Sequence, residues 1–122
     1  MNSHRRWRDA ALQPSASLRL TLADTACARL QGLLFRAPLS DSEGLWLVPC
    51  KAVHTFGMRY AIDVVFLDGD RRIIKVVSEL APNRWAAAWA ARSVIEVRGG
   101  YCEKHPDLQS AVSRALLDTS PW

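Results

Sequence analysis

Residues 62–77, IDVVFLDGDRRIIKVV, constrain the fold more than any other stretch of the chain. Two runs rich in β-branched residues flank Asp68-Gly69-Asp70, and Asp-Gly suits the positive φ angles of a tight hairpin turn. The first run is apolar at successive positions, which predicts a strand buried on both faces and central in its sheet. The second alternates more, with Lys75 among valines and isoleucines. A chain with this segment at its middle is expected to build an antiparallel core around it.

The flanking sequence extends that expectation. Leu18, Leu20 and Leu22 alternate with Ser17, Arg19 and Thr21, the pattern of a half-buried strand. Asp24 is placed to cap a helix whose apolar face is Ala26, Leu30, Leu33 and Leu34. A polar loop to Gly44 precedes a short strand over residues 45–48, which Pro49 ends. The connection that starts at Pro82 and Asn83, NRWAAAWAARS, has Trp85 and Trp89 one helical turn apart and suits a short helix or an ordered loop. In SVIEVRGG, Ile95 and Val97 share one strand face, while Glu96 and Arg98 share the other, read as solvated. Leu108, Ala111, Val112, Ala115 and Leu116 predict an amphipathic C-terminal helix. The order β-α-β-β-β-β-α lacks the alternation of a doubly wound fold. The expected class is mainly β with minor α (α+β): an antiparallel distorted β-sandwich or partly open barrel with one packed helix and a C-terminal helix. Residues 1–15, polar and containing Pro14, read as a disordered lead-in, and 16–122 as a single globular domain.

Size and composition exclude some functions. With 122 residues the chain suits one domain, and no apolar run approaches the roughly 20 residues of a membrane span. Arg5, Arg6 and Arg8 surround Trp7 without a following apolar stretch, so no export signal is expected. Cys27, Cys50 and Cys102 form no CxxC pair, which favours a reducing compartment and a cytoplasmic location, a Cys50–Cys102 bridge being the alternative. The formal charge of +4 is mostly scattered, and no nucleic-acid-binding motif accompanies it. Nucleic acid is therefore not an expected partner; a small molecule or a protein is, with the domain itself a monomer.

Most chemistry-bearing residues fall between Cys50 and Asp63. Cys50, His54 and Met58 are spaced four apart, and soft sulfur with imidazole suits copper or zinc. An extended strand would spread each step over about 13 Å, and only a bend at Phe56-Gly57 would gather all three. No cofactor is the first expectation, and that metal set the alternative. Taken singly, His54 reads as a hydrogen-bonded structural histidine, Met58 as core filler and Cys50 as a small buried hydrophobe. Asp63, heading an apolar run, is either at an exposed strand start or buried against donors such as His54, Thr55 or Arg59. A His54–Asp63 contact would be half of an acid-base triad, yet no nucleophile setting accompanies it, and no catalytic residue is assigned. The expected ligand-binding set is His54, Thr55, Met58, Arg59 and Asp63. Trp85 and Trp89 read as a pair covering the core, with stacking on a ligand as the other use. Cys102 and His105 lack the second pair of a zinc site, and no glycine loop cradles phosphate.

The blocks RLQGLLFR, EGLWLVPC, VHTFGMRYAIDVVFLD and VIEVRGG resemble the domain of unknown function 192 family over roughly residues 17–102. The resemblance implies a mainly β fold, a distorted sandwich or barrel with a helix packed on it. It maps the family's motif positions onto Gly32, Arg36, Gly44, His54, Thr55, Met58, Asp63, Glu96 and Gly100. Leu34 stands where methionine is usual and Ala61 where proline is, and YCEKHPDLQSAV replaces the expected glycine-aspartate turn. The family brings no established activity. The resulting expectation is a non-catalytic binding or accessory domain centred on residues 50–63, with soft-metal binding as the alternative and an acid-base enzyme behind it.

Overall fold

The computed structural model describes residues 17–23 and 39–119. The lead-in, the helix expected after Asp24, and Gly32 and Arg36 lie outside these residues. Among the described residues there are seven strands: β1 (Arg19–Ala23), β2 (Glu43–Leu47), β3 (Ala52–His54), β4 (Ile62–Leu67), β5 (Ile73–Leu80), β6 (Trp85–Ala87) and β7 (Ser93–Arg98). Two helices follow, α1 (Tyr101–Lys104) and α2 (Leu108–Thr119). Five strands form one sheet in the order β1-β2-β7-β4-β5, and β3 and β6 form a separate two-stranded ribbon.

All six residues of β4 are buried because the sheet is covered on both faces. Ile62, Val64 and Phe66 point to one side, packing with Val53 and Ala86 of the ribbon and with Cys50, Met58 and Leu80. Val65 and Leu67 point to the other, against Val112, Ala115 and Leu116 of α2. The molecule is thus three layers deep: ribbon, sheet, helix. The mainly β reading holds, as do the interior position of β4, its antiparallel pairing with β5 and β7, and the C-terminal helix.

Four details depart from the sequence reading. The sheet is mixed, because β1 pairs parallel to β2, and it stays open, with β1 and β5 as its two edges. At the hairpin, Gly69 is not among the positive-φ residues; Arg71 is, at φ 64°. Asp68 makes a longer loop, its Oδ1 accepting from the N–H groups of Asp70 and Arg72, both at 2.9 Å. Residues 85–87, alanine-rich and read as a helix or loop, form strand β6, since pairing with β3 supplies the hydrogen bonds a short helix would have made for itself. Glu96 is buried, not solvated: its cross-strand neighbours are Leu45 and Val64, and the face they share is under the ribbon layer.

Gly44 shows how closely this sheet is packed. A Cβ there would lie 2.9 Å from Leu20 Cδ2 and 3.0 Å from Val97 Cγ1. The glycine is required by the approach of β1 and β7 to either side of β2.

Candidate functional site

The residues singled out between Cys50 and Asp63 divide into two groups, one holding the structure together and one facing solvent. Asp63 belongs to the first. It is fully buried on the helix side of the sheet. Opposite it, β5 bulges: Ile62 pairs with Leu80 but Val64 with Val77, and Glu79 takes φ 51°. The bulge frees the Glu79 N–H from the strand ladder, and it donates to Asp63 Oδ1 at 2.7 Å. Gly100, at φ 93°, donates its N–H to the same oxygen at 3.1 Å, and the Cys102 N–H reaches Oδ2 at 2.8 Å. One carboxylate therefore fastens the β5 bulge, the end of β7 and the first turn of α1. The donors are three backbone amides, joined by the Cys102 thiol, in place of the His54, Thr55 and Arg59 side chains expected. His54 lies on the ribbon layer, across the sheet from this carboxylate, so the acid-base pair is not assembled.

Thr55, also fully buried, performs the same service for the ribbon. Its hydroxyl donates to the Ala81 carbonyl at 2.6 Å and accepts from the Arg84 N–H at 2.9 Å. Its main chain receives Met58 N–H and Asn83 N–H and donates to Arg84 C=O. Gly57, at φ 85°, closes the turn and donates to Asn83 Oδ1. The 55–58 turn is locked to the 81–84 loop, with Met58 tucked into the core beneath.

Cys50, His54 and Met58 do not converge. Cys50 and Met58 are buried in the core, and the Cys50 thiol donates to Ala52 C=O. His54 faces outward at the end of β3. Among the described residues no group of three His, Cys, Asp or Glu side chains is placed to hold a metal ion. Cys50 and Cys102 do not bridge each other. Cys102 and His105 are occupied locally: His105 stacks on Tyr101 at 3.9 Å and contacts its carbonyl through Nδ1, which must be the protonated nitrogen because a carbonyl only accepts.

Burial pushes the Cys102 thiol up from 9.0 to about 12, with the Asp63 carboxylate and its hydrogen bond adding to the shift. Burial likewise raises Tyr101 from 10.0 to about 12, with smaller contributions from Cys102 and Asp107. Both groups hold their protons more tightly folded than unfolded. Well below pH 9 neither state has lost them, so stability is unaffected; as pH approaches and passes 9 the unfolded chain ionises first. The thermal midpoint is therefore expected to fall between about pH 9 and 12, and Cys102→Ala to flatten part of that fall. A wild-type midpoint that stays level to pH 11 would contradict it.

What remains at the surface is an aromatic strip. The ribbon pairs His54 with Trp85 and Ala52 with Ala87 on its outer face, while Val53 and Ala86 point into the core. His54 stacks on Phe56 with ring centroids 5.0 Å apart. Phe56, Trp85 and Trp89 are 52, 64 and 71% exposed, far from the core-covering role expected of the tryptophans. A groove of about 310 Å³ runs between the two indoles, lined by Trp85, Ala86, Ala87, Trp89 and Lys75. Lys75 reaches over from β5 and donates to the Ala87 carbonyl at 2.8 Å. The sequence signal for this strip is negative: residues 50–60 and 81–92 contain Lys51, Arg59, Arg84 and Arg92 but no aspartate or glutamate. All four cations are exposed. Arg92 lies towards Gly69 and the β4–β5 loop; Lys51, Arg59 and Arg84 belong to the ribbon and its turn.

Among the described residues no helix is long and apolar enough to cross a membrane. No curated protein matches the chain. Two crystal structures resemble it. One, from Novosphingobium aromaticivorans DSM 12444, is a protein of unknown function; it is 26% identical, covers 71% of this chain and 67% of its own, and superposes with a TM-score of 0.62. The other, from Sinorhizobium meliloti 1021, is described as a candidate transcription regulator; at 18% identity, with 73 and 74% coverage and a TM-score of 0.66, it shows the shared fold alone. The family DUF192 (Uncharacterized ACR) matches residues 9–107. The motif blocks, the layered β fold and that match together make this chain a member of the DUF192 family.

Proposed function

We propose that this domain is a non-catalytic binding module, and that it presents the outer face of the β3–β6 ribbon, with the 55–59 turn beside it, to its ligand. The observation that carries the reading is the exposure of three large aromatic side chains, Trp85 on the ribbon and Phe56 and Trp89 in the turns that follow its two strands. Leaving such rings in water forgoes burial worth about 1.5–3 kcal/mol for a side chain of that size. An exposed apolar patch rimmed by polar groups is a common mark of an interaction site. Of the expected ligand-binding residues, His54 and Arg59 are exposed, Thr55 and Met58 are buried beneath the turn, and Asp63 is buried on the other side of the sheet, away from the strip.

The test is a fragment screen read by two-dimensional NMR, with the tryptophan indole N–H signals as reporters. Flat heteroaromatic fragments such as adenine and quinoline are expected to shift signals from residues 51–59, Lys75 and 84–89 and to leave α2 unmoved. Shifts confined to the surroundings of Asp63 and Cys102, or none at any residue of the ribbon, would remove the reading.

A further inference from the structure

We propose that the ribbon face binds single-stranded nucleic acid, with bases stacking on Trp85 and Trp89 and phosphates meeting Lys51, Lys75, Arg59 and Arg84. The proposal rests on the reading of this face as the binding site and names the class of its ligand. Two independent features of the face point the same way. The first is shape. Trp85 and Trp89 are separated in sequence by Ala86, Ala87 and Ala88, and the groove beside the indoles is floored by Ala86 and Ala87 and edged by Lys75. The groove left there, about 310 Å³, is at the small end of ligand sites and of a size for one flat ring system.

The second feature is charge. The two segments that build the ribbon hold no carboxylate and four cations, of which Lys51, Arg59 and Arg84 belong to the ribbon and its turn while Arg92 lies towards Gly69. In sequence these cations look scattered; pairing of β3 with β6 brings together the two segments that carry Lys51, Arg59 and Arg84, and β5 adds Lys75 at the groove itself. A ligand that suits the face must therefore carry flat rings and negative charge in alternation, which is the chemistry of an unpaired nucleic-acid strand. A neutral sugar polymer would leave the cations of this face without anionic partners. A duplex offers no free base face to the indoles. An anionic bilayer matches the charge, but its headgroups offer no flat rings to stack on the indoles.

The experiment is fluorescence anisotropy with end-labelled oligothymidylate and oligouridylate of 15 nucleotides, titrated with the full chain. Saturable binding is expected, stronger than to a duplex of equal length. With three or four phosphates neutralised, affinity should fall about 20- to 50-fold between 50 and 200 mM salt. Trp85→Ala and Trp89→Ala should each weaken binding roughly 5- to 100-fold, whereas Trp85→Phe, which keeps a ring, should retain most of it. Both tryptophans are exposed, so these variants are expected to stay folded. The proposal is overturned if the folded protein shows no saturable binding, if the duplex binds as tightly, or if both alanine variants bind as wild type. Binding to phosphatidylglycerol vesicles in place of the oligonucleotides would assign the face to a lipid surface and equally overturn it. Should heteroaromatic fragments shift the indole signals while oligonucleotides fail, the binding-module reading stands and the nucleic-acid assignment falls; failure of both removes both.

Discussion

Asp63→Ala is expected to cost about 3–5 kcal/mol of folding stability, the largest effect of any single substitution considered for this domain. The estimate follows from its partners. Three backbone N–H groups, from Glu79, Gly100 and Cys102, donate to one buried carboxylate. Each buried donor left without a partner costs on the order of 1–3 kcal/mol, and water entering the small cavity recovers part of that. Against the roughly 5–15 kcal/mol that holds a domain of this size folded, the loss is severe. Asp63→Asn should fall between: its carbonyl oxygen can still serve two donors, but its amide nitrogen then faces the third. His54→Ala, at an exposed position, should stay within about 0.5 kcal/mol of wild type. Urea midpoints of the three variants check the series. Wild-type stability in Asp63→Ala would mean that the carboxylate is not a fastener, and would reopen it as a functional group.

The contrast between these residues explains how far the sequence could be read. Elements whose evidence is local were legible: the β4–β5 hairpin from its β-branched runs, β7 from alternation, α2 from its apolar face. What failed depends on partners far along the chain. The donors to Asp63 are 16, 37 and 39 residues away, and the bulge that exposes the first of them leaves no local trace. Glu96 alternates as a solvated residue would, because alternation reports two faces without saying that one is wet; here the ribbon covers the second face. Trp85 and Trp89 satisfy a helical spacing, yet β3 captures the first of them in a strand and both are left in solvent. The missing carboxylates of residues 50–60 and 81–92 were visible throughout, but they acquire meaning only when β3 and β6 are seen to pair.

Thr55→Val should cost about 2–3 kcal/mol, second to Asp63, and its loss should be felt at the aromatic strip. Valine fills the same space, so packing against the core is kept and the effect is that of the hydroxyl alone. Without it the Ala81 carbonyl and the Arg84 N–H lose their partner together. The pair Val53 and Ala86 remains to seat the ribbon on the sheet, so the domain should fold while the end that carries His54 and Trp85 loosens. Hydrogen exchange is expected to quicken at Arg84 and Asn83 and to stay slow in β4 and β7. Thr55→Ser, which restores the hydroxyl and lacks only a methyl group, should recover most of the stability and the slow exchange. Equal damage from serine and valine would locate the effect in packing instead. If the valine variant keeps its core but binds flat fragments or oligonucleotides less well, the buried threonine acts on the ligand through the placement of Trp85. Undiminished binding would show that the strip is held well enough by β3–β6 pairing, and would confine Thr55 to stability.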